Sequence, residues 1–339
     1  MKRLFLTLDY ELFFGTRTGS VARCLIEPTE ALLRITDAHD LKIVFFVDAG
    51  YLVALKRQMG DCPALQQDYE TVTAHLRALS AGGHDIQLHI HPHWEDSFYD
   101  TARQQWDIDI SRYKLADFDE VQIDDIVRRY KAELEHISGK EVFAYRAGGW
   151  CIQPFHKLSK AFRKHGIWLD STVFYNGNAD SEAHAFDFKG APEKTVWQFD
   201  QDPVVAQQGG FFTEVPIAAY KVTPLFFARF ALAKKKGGAQ HKAFGDGRSI
   251  AQSRSWIIKK FLGASYSVVS IDGYKSSYLA RAYRQWRTGK DNLNFVIIGH
   301  PKAFTPYSLT KFKQFLEAYR ATFSPATFQE NKHEITQSM

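Results

Sequence analysis

The sequence predicts an α/β fold in which a parallel sheet closes into a barrel. Eight short apolar, β-rich runs recur along the 339 residues. Helical patterns fill most of the gaps between them, and reactive side chains gather at the C-terminal ends of the runs. The length suits one large barrel, and 1–323 is read as a single domain.

Taken in order, Leu4 to Leu8 leads to Asp9 and Glu11, and Leu41 to Val47 leads to Asp48. Asp85 to Ile90 runs into a group of histidines, Val142 to Tyr145 ends at Arg146, and Ile167 to Leu169 ends at Asp170. Phe211 to Pro216 contains Glu214, Ser265 to Ile271 leads to Asp272, and Asn294 to Ile298 leads to His300. The C-terminal strand ends are where such a barrel collects its site. Asp119 to Ser138 is the clearest helix, with Ile123, Ile126, Val127, Tyr130, Leu134 and Ile137 on one face and Gly139 as its stop. Ser308 to Thr322 is another, with Ser308 as its cap and Leu309, Phe312, Phe315, Leu316 and Tyr319 as the buried stripe. Shorter helices are expected from Pro28, Pro154 and Tyr274. Two long connections, 94–118 and 174–210, read as lids or walls. Disorder is expected only in the tail 324–339.

Four of the thirteen histidines fall in ten residues, His84, His89, His91 and His93, directly after Gly82-Gly83. Imidazole is the commonest side-chain ligand for a catalytic divalent metal. On a strand, His89, His91 and His93 share one face. The structural alternative, a hydrogen-bonded core ring, suits His84 better than the other three.

Cys24, Cys62 and Cys151 are odd in number and show no Cys-x-x-Cys pattern, which points away from a disulfide framework or a thiolate zinc site and toward a reducing compartment. The N-terminus meets Asp9 too early for an export signal, and no window approaches the ~20 apolar residues of a membrane span. The net charge is +5, yet residues 221–290 hold fifteen Lys or Arg against Asp246 and Asp272, so this segment carries +13 and the remainder −8. An anionic partner is expected there: a nucleotide- or phosphate-linked sugar, an acidic glycan or anionic lipid, with no nucleic acid. Pro224 to Lys236 reads as an amphipathic helix with a basic end, packed on the barrel or else resting on a membrane surface.

The motifs resemble those of the NodB-type polysaccharide deacetylases, carbohydrate esterase family four and its relatives. Thr7-Leu8-Asp9-Tyr10-Glu11 is similar to the family's first motif. Gly83-His84-Asp85-Ile86 followed by His89 and His93 is similar to the second, and Arg146-Ala147-Gly148-Gly149-Trp150 to the third. Asp170 matches the aspartate of the fourth, and His300-Pro301 the late strand-end histidine. The start Leu8-Asp9-Tyr10-Glu11 and the run His89 to Trp94 resemble the WbmS-like branch of O-antigen loci. The resemblance spans Leu4 to about Phe304. It implies a distorted (β/α)7 barrel and a metal-dependent deacylase, zinc first, that processes a carbohydrate in the cytoplasm.

It also implies roles for particular residues. Asp9 is the base, oriented by Arg146, and His300 protonates the leaving amine with Asp170 as its partner. Where the family has a second aspartate this chain has Tyr10, and Glu11, on the same strand face as Asp9, offers the missing carboxylate. Either Asp9 or Glu11 can be the base with the other as ligand, and His91 stands beside His89 and His93 as a third candidate ligand. Gly148 and Gly149 leave backbone N–H groups open to an oxyanion. Trp94 and Trp150 either stack on a sugar or simply pack. The expected activity is removal of an N-acetyl or N-formyl group from an amino sugar during surface polysaccharide assembly. The alternatives are hydrolysis of another ester or amide bond, and a degenerate barrel that only binds a glycan or sugar phosphate.

Overall fold

The computed structural model describes residues 2–60, 62–181, 184–250, 263–289 and 292–337. The main sheet contains β1 (Arg3–Tyr10), β2 (Ile43–Asp48), β3 (Asp85–Ile90), β4 (Ala144–Ala147), β5 (Leu169–Asp170), β6 (Trp197–Phe199), β7 (Phe212–Glu214), β8 (Asn294–Gly299) and β9 (Ser324–Pro325). Eight of them follow the order β6-β7-β5-β4-β3-β2-β1-β8, and β9 pairs with the start of β1. Every pairing is parallel except that of β6 with β7. The result is a curled α/β half-barrel of the distorted type, flanked by α1 (Glu27–Asp37), α2 (Ala49–Gln58), α3 (Pro63–Ala81), α4 (Glu120–Ser138) and α5 (His156–Lys164). The later helices are α6 (Pro224–Lys236), α7 (Leu279–Trp286), α8 (Pro306–Tyr319) and α9 (Lys332–Gln337).

Local chemistry explains the long helices. Asp119 and Gln122 form a reciprocal capping box at the start of α4, the predicted apolar stripe is buried, and Gly139 ends the helix at φ 67°. Helix α8 starts two residues before the expected position, because Thr305 caps it and Ser308 returns the bond from the third helical position.

Three expectations are corrected. The run Ser265 to Ile271 does not enter the sheet as a whole: Ser265–Val268 pairs antiparallel with Ala219–Val222 outside it. Only the following residues reach β8, through a parallel bridge between Ser270 and Ile298. Closure of the barrel is therefore thin, helped by single bonds such as Ala218 N–H to Val296 C=O at 3.0 Å. Strand β6 was hidden in the connection 174–210, because three residues are too few to show alternation. Residues 324–337 of the tail are folded. Phe328 is buried and stacks on Phe5 with ring centroids 5.0 Å apart, and Arg3 pairs with Glu334 at 2.9 Å.

That tail plugs the barrel. Leu4, Leu6, Leu8 and Tyr10 of β1 face outward into the helix layer, whereas Phe5 joins Val44, Phe46, Phe143, Leu169 and Val296 inside with Ala326, Phe328 and Ile335. Period-two alternation thus gives β1 one face for the helices and one for the interior. The interior is apolar at its lower end and becomes charged where Asp9 and Arg146 stand. Phe328→Ala is expected to cost about 3–5 kcal/mol, measured by chemical unfolding.

His84 is structural. Its Nδ1 accepts the Ile43 N–H at 3.1 Å, so the neutral ring is required, and burial together with Lys42 pushes its pKa down to about 4. The unfolded chain, with an imidazole near 6.5, holds that proton more readily. Stability from this group is full above about pH 6.5 and is lost as pH falls toward 4, by up to about 3 kcal/mol. In His84→Asn the acid-induced loss should shrink by that order between about pH 7 and pH 4, read from unfolding free energies.

Candidate active and metal site

The alternation of β1 sends Asp9 inward and Tyr10 outward, with buried Glu11 following beside Asp9. The Tyr10 hydroxyl lies 2.8 Å from His75 Nδ1 and its ring packs on Phe45, away from the acids. Parallel register then sets Asp48 beside His89 and His89 beside Arg146 across three neighbouring strands. Arg146 is fully buried. Its Nη1 donates to Asp9 Oδ1 at 2.8 Å, Nε to Ser171 C=O at 2.7 Å and Nη2 to Ser171 Oγ at 3.1 Å. The guanidinium also lies 4.1 Å from the Phe46 ring centre. Burial alone would raise the pKa of Asp9, but Arg146, His89 and His300 hold it well below the usual carboxylate range.

Glu11 joins two histidines. Its Oε2 is 2.6 Å from His91 Nε2 and 3.3 Å from His89 Nε2, while Oε1 is 2.9 Å from Lys302 Nζ. Lys302 also donates to Leu12 C=O and lies over the rings of Phe13 and Phe14. Despite burial, Lys302 and the two histidines keep Glu11 well below the ordinary range. Gly148 makes the arrangement possible. A Cβ there would sit 2.6 Å from His91 Cε1 and Nδ1 and from the Ile90 carbonyl, so only glycine leaves room for this ring.

His300 completes the group from the far side of β1. Its Nε2 is 3.4 Å from Asp9 Oδ2, and its Nδ1 and backbone N–H each bond Asp272 at 2.8 Å. Burial lowers the pKa of this imidazole, yet Asp272 and Asp9 outweigh it and raise the pKa to about 10. The partner of His300 is thus Asp272, at the end of the seventh run, and not Asp170. Asp170 sits on β5, where it accepts from Thr172 and lies in register beside Glu214. Burial raises the pKa of both these carboxyls.

Other candidates fall into place around this centre. Neither ring nitrogen of buried His93 has a hydrogen-bond partner among the described residues, and its ring lies between Phe14 and Tyr113, stacked on the latter at an interplanar angle of 3°. Trp94 is buried and donates to Asp48 Oδ2 at 2.6 Å, so its ring has no face open to a sugar. Trp150 is partly exposed against Phe174 and Phe186, and Gly149 has φ 59°. Lys302 was not singled out from the sequence. Its signal was position alone, two residues after His300.

Among the described residues, Glu11, His89 and His91 form the group able to hold a metal ion, with ligand atoms all within 4.8 Å of one another. Their chemistry fits. The Arg146 carbonyl, which only accepts, lies 2.8 Å from His89 Nδ1, so that nitrogen carries the proton and Nε2 of the neutral ring turns its lone pair toward Glu11. Two acceptors facing each other at 3.3 Å need a cation between them, either a proton or a metal. Two imidazoles and a carboxylate suit zinc or another borderline ion, and three protein ligands leave a position open. His93 lies outside that group.

No family model matches the chain, and no curated protein matches it. Among solved structures, the chain is similar to a Mycobacterium smegmatis protein assigned to the polysaccharide deacetylases, at 16% identity, over 99% of this chain and 90% of that one, with a TM-score of 0.52. At this identity the likeness is one of fold. Looser overlaps occur with a family 4 carbohydrate esterase from Streptomyces lividans in complex with acetate (12% identity, 94% and 88% covered, TM-score 0.35). Another is with the Bc1960 peptidoglycan N-acetylglucosamine deacetylase (15% identity, 51% and 57% covered, TM-score 0.31). At those scores the last two establish no shared fold.

The cluster predicts uptake of one zinc ion per chain, measured by elemental analysis. At zinc about 100-fold above Kd, unfolding should become harder by about 2.7 kcal/mol. Glu11→Gln, His89→Ala and His91→Ala should lose that stabilisation, while His93→Ala should retain most of it.

Proposed function

We propose that this protein is a metal-dependent hydrolase that removes an N-acyl group, acetyl or formyl, from an amino sugar. One observation supports this reading above the rest: an ionised Asp9, a protonated His300 and the Glu11–His89–His91 group converge on one side of the barrel. Glu11, His89 and His91 would hold the ion, most simply zinc. When bound, such an ion polarises the acyl carbonyl and acidifies water, so a carboxylate of low basicity suffices as base.

The remaining steps belong to the chain itself. Asp9, fixed by Arg146, takes a proton from the water whose oxygen bonds to the acyl carbon. His300, kept as imidazolium by Asp272, gives its proton to the nitrogen as the C–N bond breaks, leaving a free amine and a carboxylic acid. Asp272 here fills the role that the motif resemblance implied for Asp170. The closeness of Asp9 and His300, 3.4 Å, lets the proton gained by one replace the proton lost by the other. Trp150, at the edge of the site and partly exposed, remains the aromatic candidate for a sugar face. We assign the amino sugar to surface polysaccharide assembly in the cytoplasm, on the motif resemblance. No helix among the described residues is long and apolar enough to cross a membrane.

A second reading, a barrel that binds a sugar or sugar phosphate without turnover, draws on Lys302, whose ammonium already neutralises Glu11. Assays on N-acetyl, N-formyl and O-acetyl sugars, with acetate or formate as the readout, separate the two and also identify the bond. Release from an N-acyl sugar is expected, falling about 10²-fold or more in Asp9→Asn and His300→Ala. Asp272→Asn should lose more activity than Asp170→Asn. No release from any of the three sugars by metal-loaded protein would leave the binding barrel as the better account.

A further inference from the structure

Helix α6 has two apolar sides, one packed on the protein and the other exposed. Phe226 is buried, with ring centroids 4.7 Å from Tyr278 and 5.9 Å from Tyr274, and Phe230 lies 6.4 Å from Tyr274. This side fastens the helix to the turn Gly273–Tyr278, which begins directly after Asp272, the partner of His300. On the opposite side Leu225 is 57% exposed and Leu232, seven residues on and so on the same stripe, is 54% exposed; Ala228 between them is exposed too. A helix that is apolar all round is ordinarily covered all round.

The charge around this stripe has one sign. Lys221, Arg229, Lys235 and Lys236 are exposed, and no acid occurs between Glu214 and Asp246. No carboxylate among the described residues pairs with any of these four cations. A phosphate-bearing soluble ligand would account for the cations and leave the leucines in water. A bilayer surface with anionic headgroups accounts for both, taking the leucines into its boundary and the cations against its phosphates.

We propose that α6 docks this protein on anionic membrane surfaces, with Leu225 and Leu232 inserted and Lys221, Arg229, Lys235 and Lys236 on the headgroups. Docking brings the side of the barrel that carries Asp272 and His300 close to the lipid. The inference stands apart from the proposed chemistry, because lipid binding is read without any turnover. Full-length protein is sedimented with vesicles of phosphatidylcholine and with vesicles of phosphatidylcholine mixed with phosphatidylglycerol. Uptake is expected on the mixed vesicles, weakening as salt rises. Leu225→Ser with Leu232→Ser, and separately Lys235→Glu with Lys236→Glu, should each weaken it about tenfold or more, with thermal unfolding unchanged because these positions are exposed. Equal uptake by neutral and anionic vesicles, no uptake by either, or uptake that neither variant reduces would overturn the assignment. A dimer in solution that the leucine variant dissolves would overturn it too, giving the stripe to a second copy of the chain.

Discussion

The buried ion pair between Arg146 and Asp9 is the constraint on which the rest of the structure turns. A guanidinium with no access to solvent must find its partners inside, and here Asp9, both oxygens of Ser171 and the face of Phe46 supply them. Those partners come from β1, β2 and the end of β5, so one side chain ties together strands that are not all neighbours in the sheet. The pair is weak evidence for stability, since desolvating two charges offsets most of their attraction. Its effect is on position. Breaking it would leave a lone charge in the interior, and that penalty holds Asp9 in one place and in one protonation state.

Everything else in the centre is arranged around that fixed carboxylate. On one side Lys302 occupies one oxygen of Glu11 and leaves the other for the histidines. On the other side Asp272 holds His300 by both its ring and its backbone. The two sides differ in what they can bind: a proton or metal where acceptors face acceptors, and a proton donor where an imidazolium is caged by acids. An environment that separates neighbouring titratable groups in this way is a usual mark of acid–base chemistry.

Much of this was legible in the sequence, because strand alternation and strand-end chemistry are local. Counting in twos put Asp9 with Glu11 and His89 with His91, and position at a strand end singled out Arg146 and His300. What was not legible depended on topology or on distant rings. Alternation put His91 and His93 on the same face, but Pro92 begins a 3₁₀ turn, and His93 swings into a slot made by Phe14 and Tyr113. Asp170 and Asp272 are both strand-end aspartates, and only the sheet order shows that β5 lies four strands from β1 while Asp272 lies beside β8. The run Ser265 to Ile271 has the composition of a barrel strand, yet its first half finds Ala219–Val222 as a partner instead. Gly148 was noticed for its N–H, whereas the space it leaves for His91 depends on a neighbouring strand and was not visible.

The placement of β1 also bears on how the chain is made. This strand, apolar along most of its length, has one edge filled by β8 and its start joined by β9, and Arg3 bonds Asn294 across 291 positions of sequence. At roughly 5–20 residues per second, a ribosome needs on the order of a quarter-minute to a minute to deliver those partners after β1 has emerged. For that interval β1 has an open edge, and the slot later filled by Phe328 lies open beside it. Contacts this distant also slow closure after release. The nascent chain therefore keeps a strand edge and an apolar slot open to chaperones until residues 294–328 have been made.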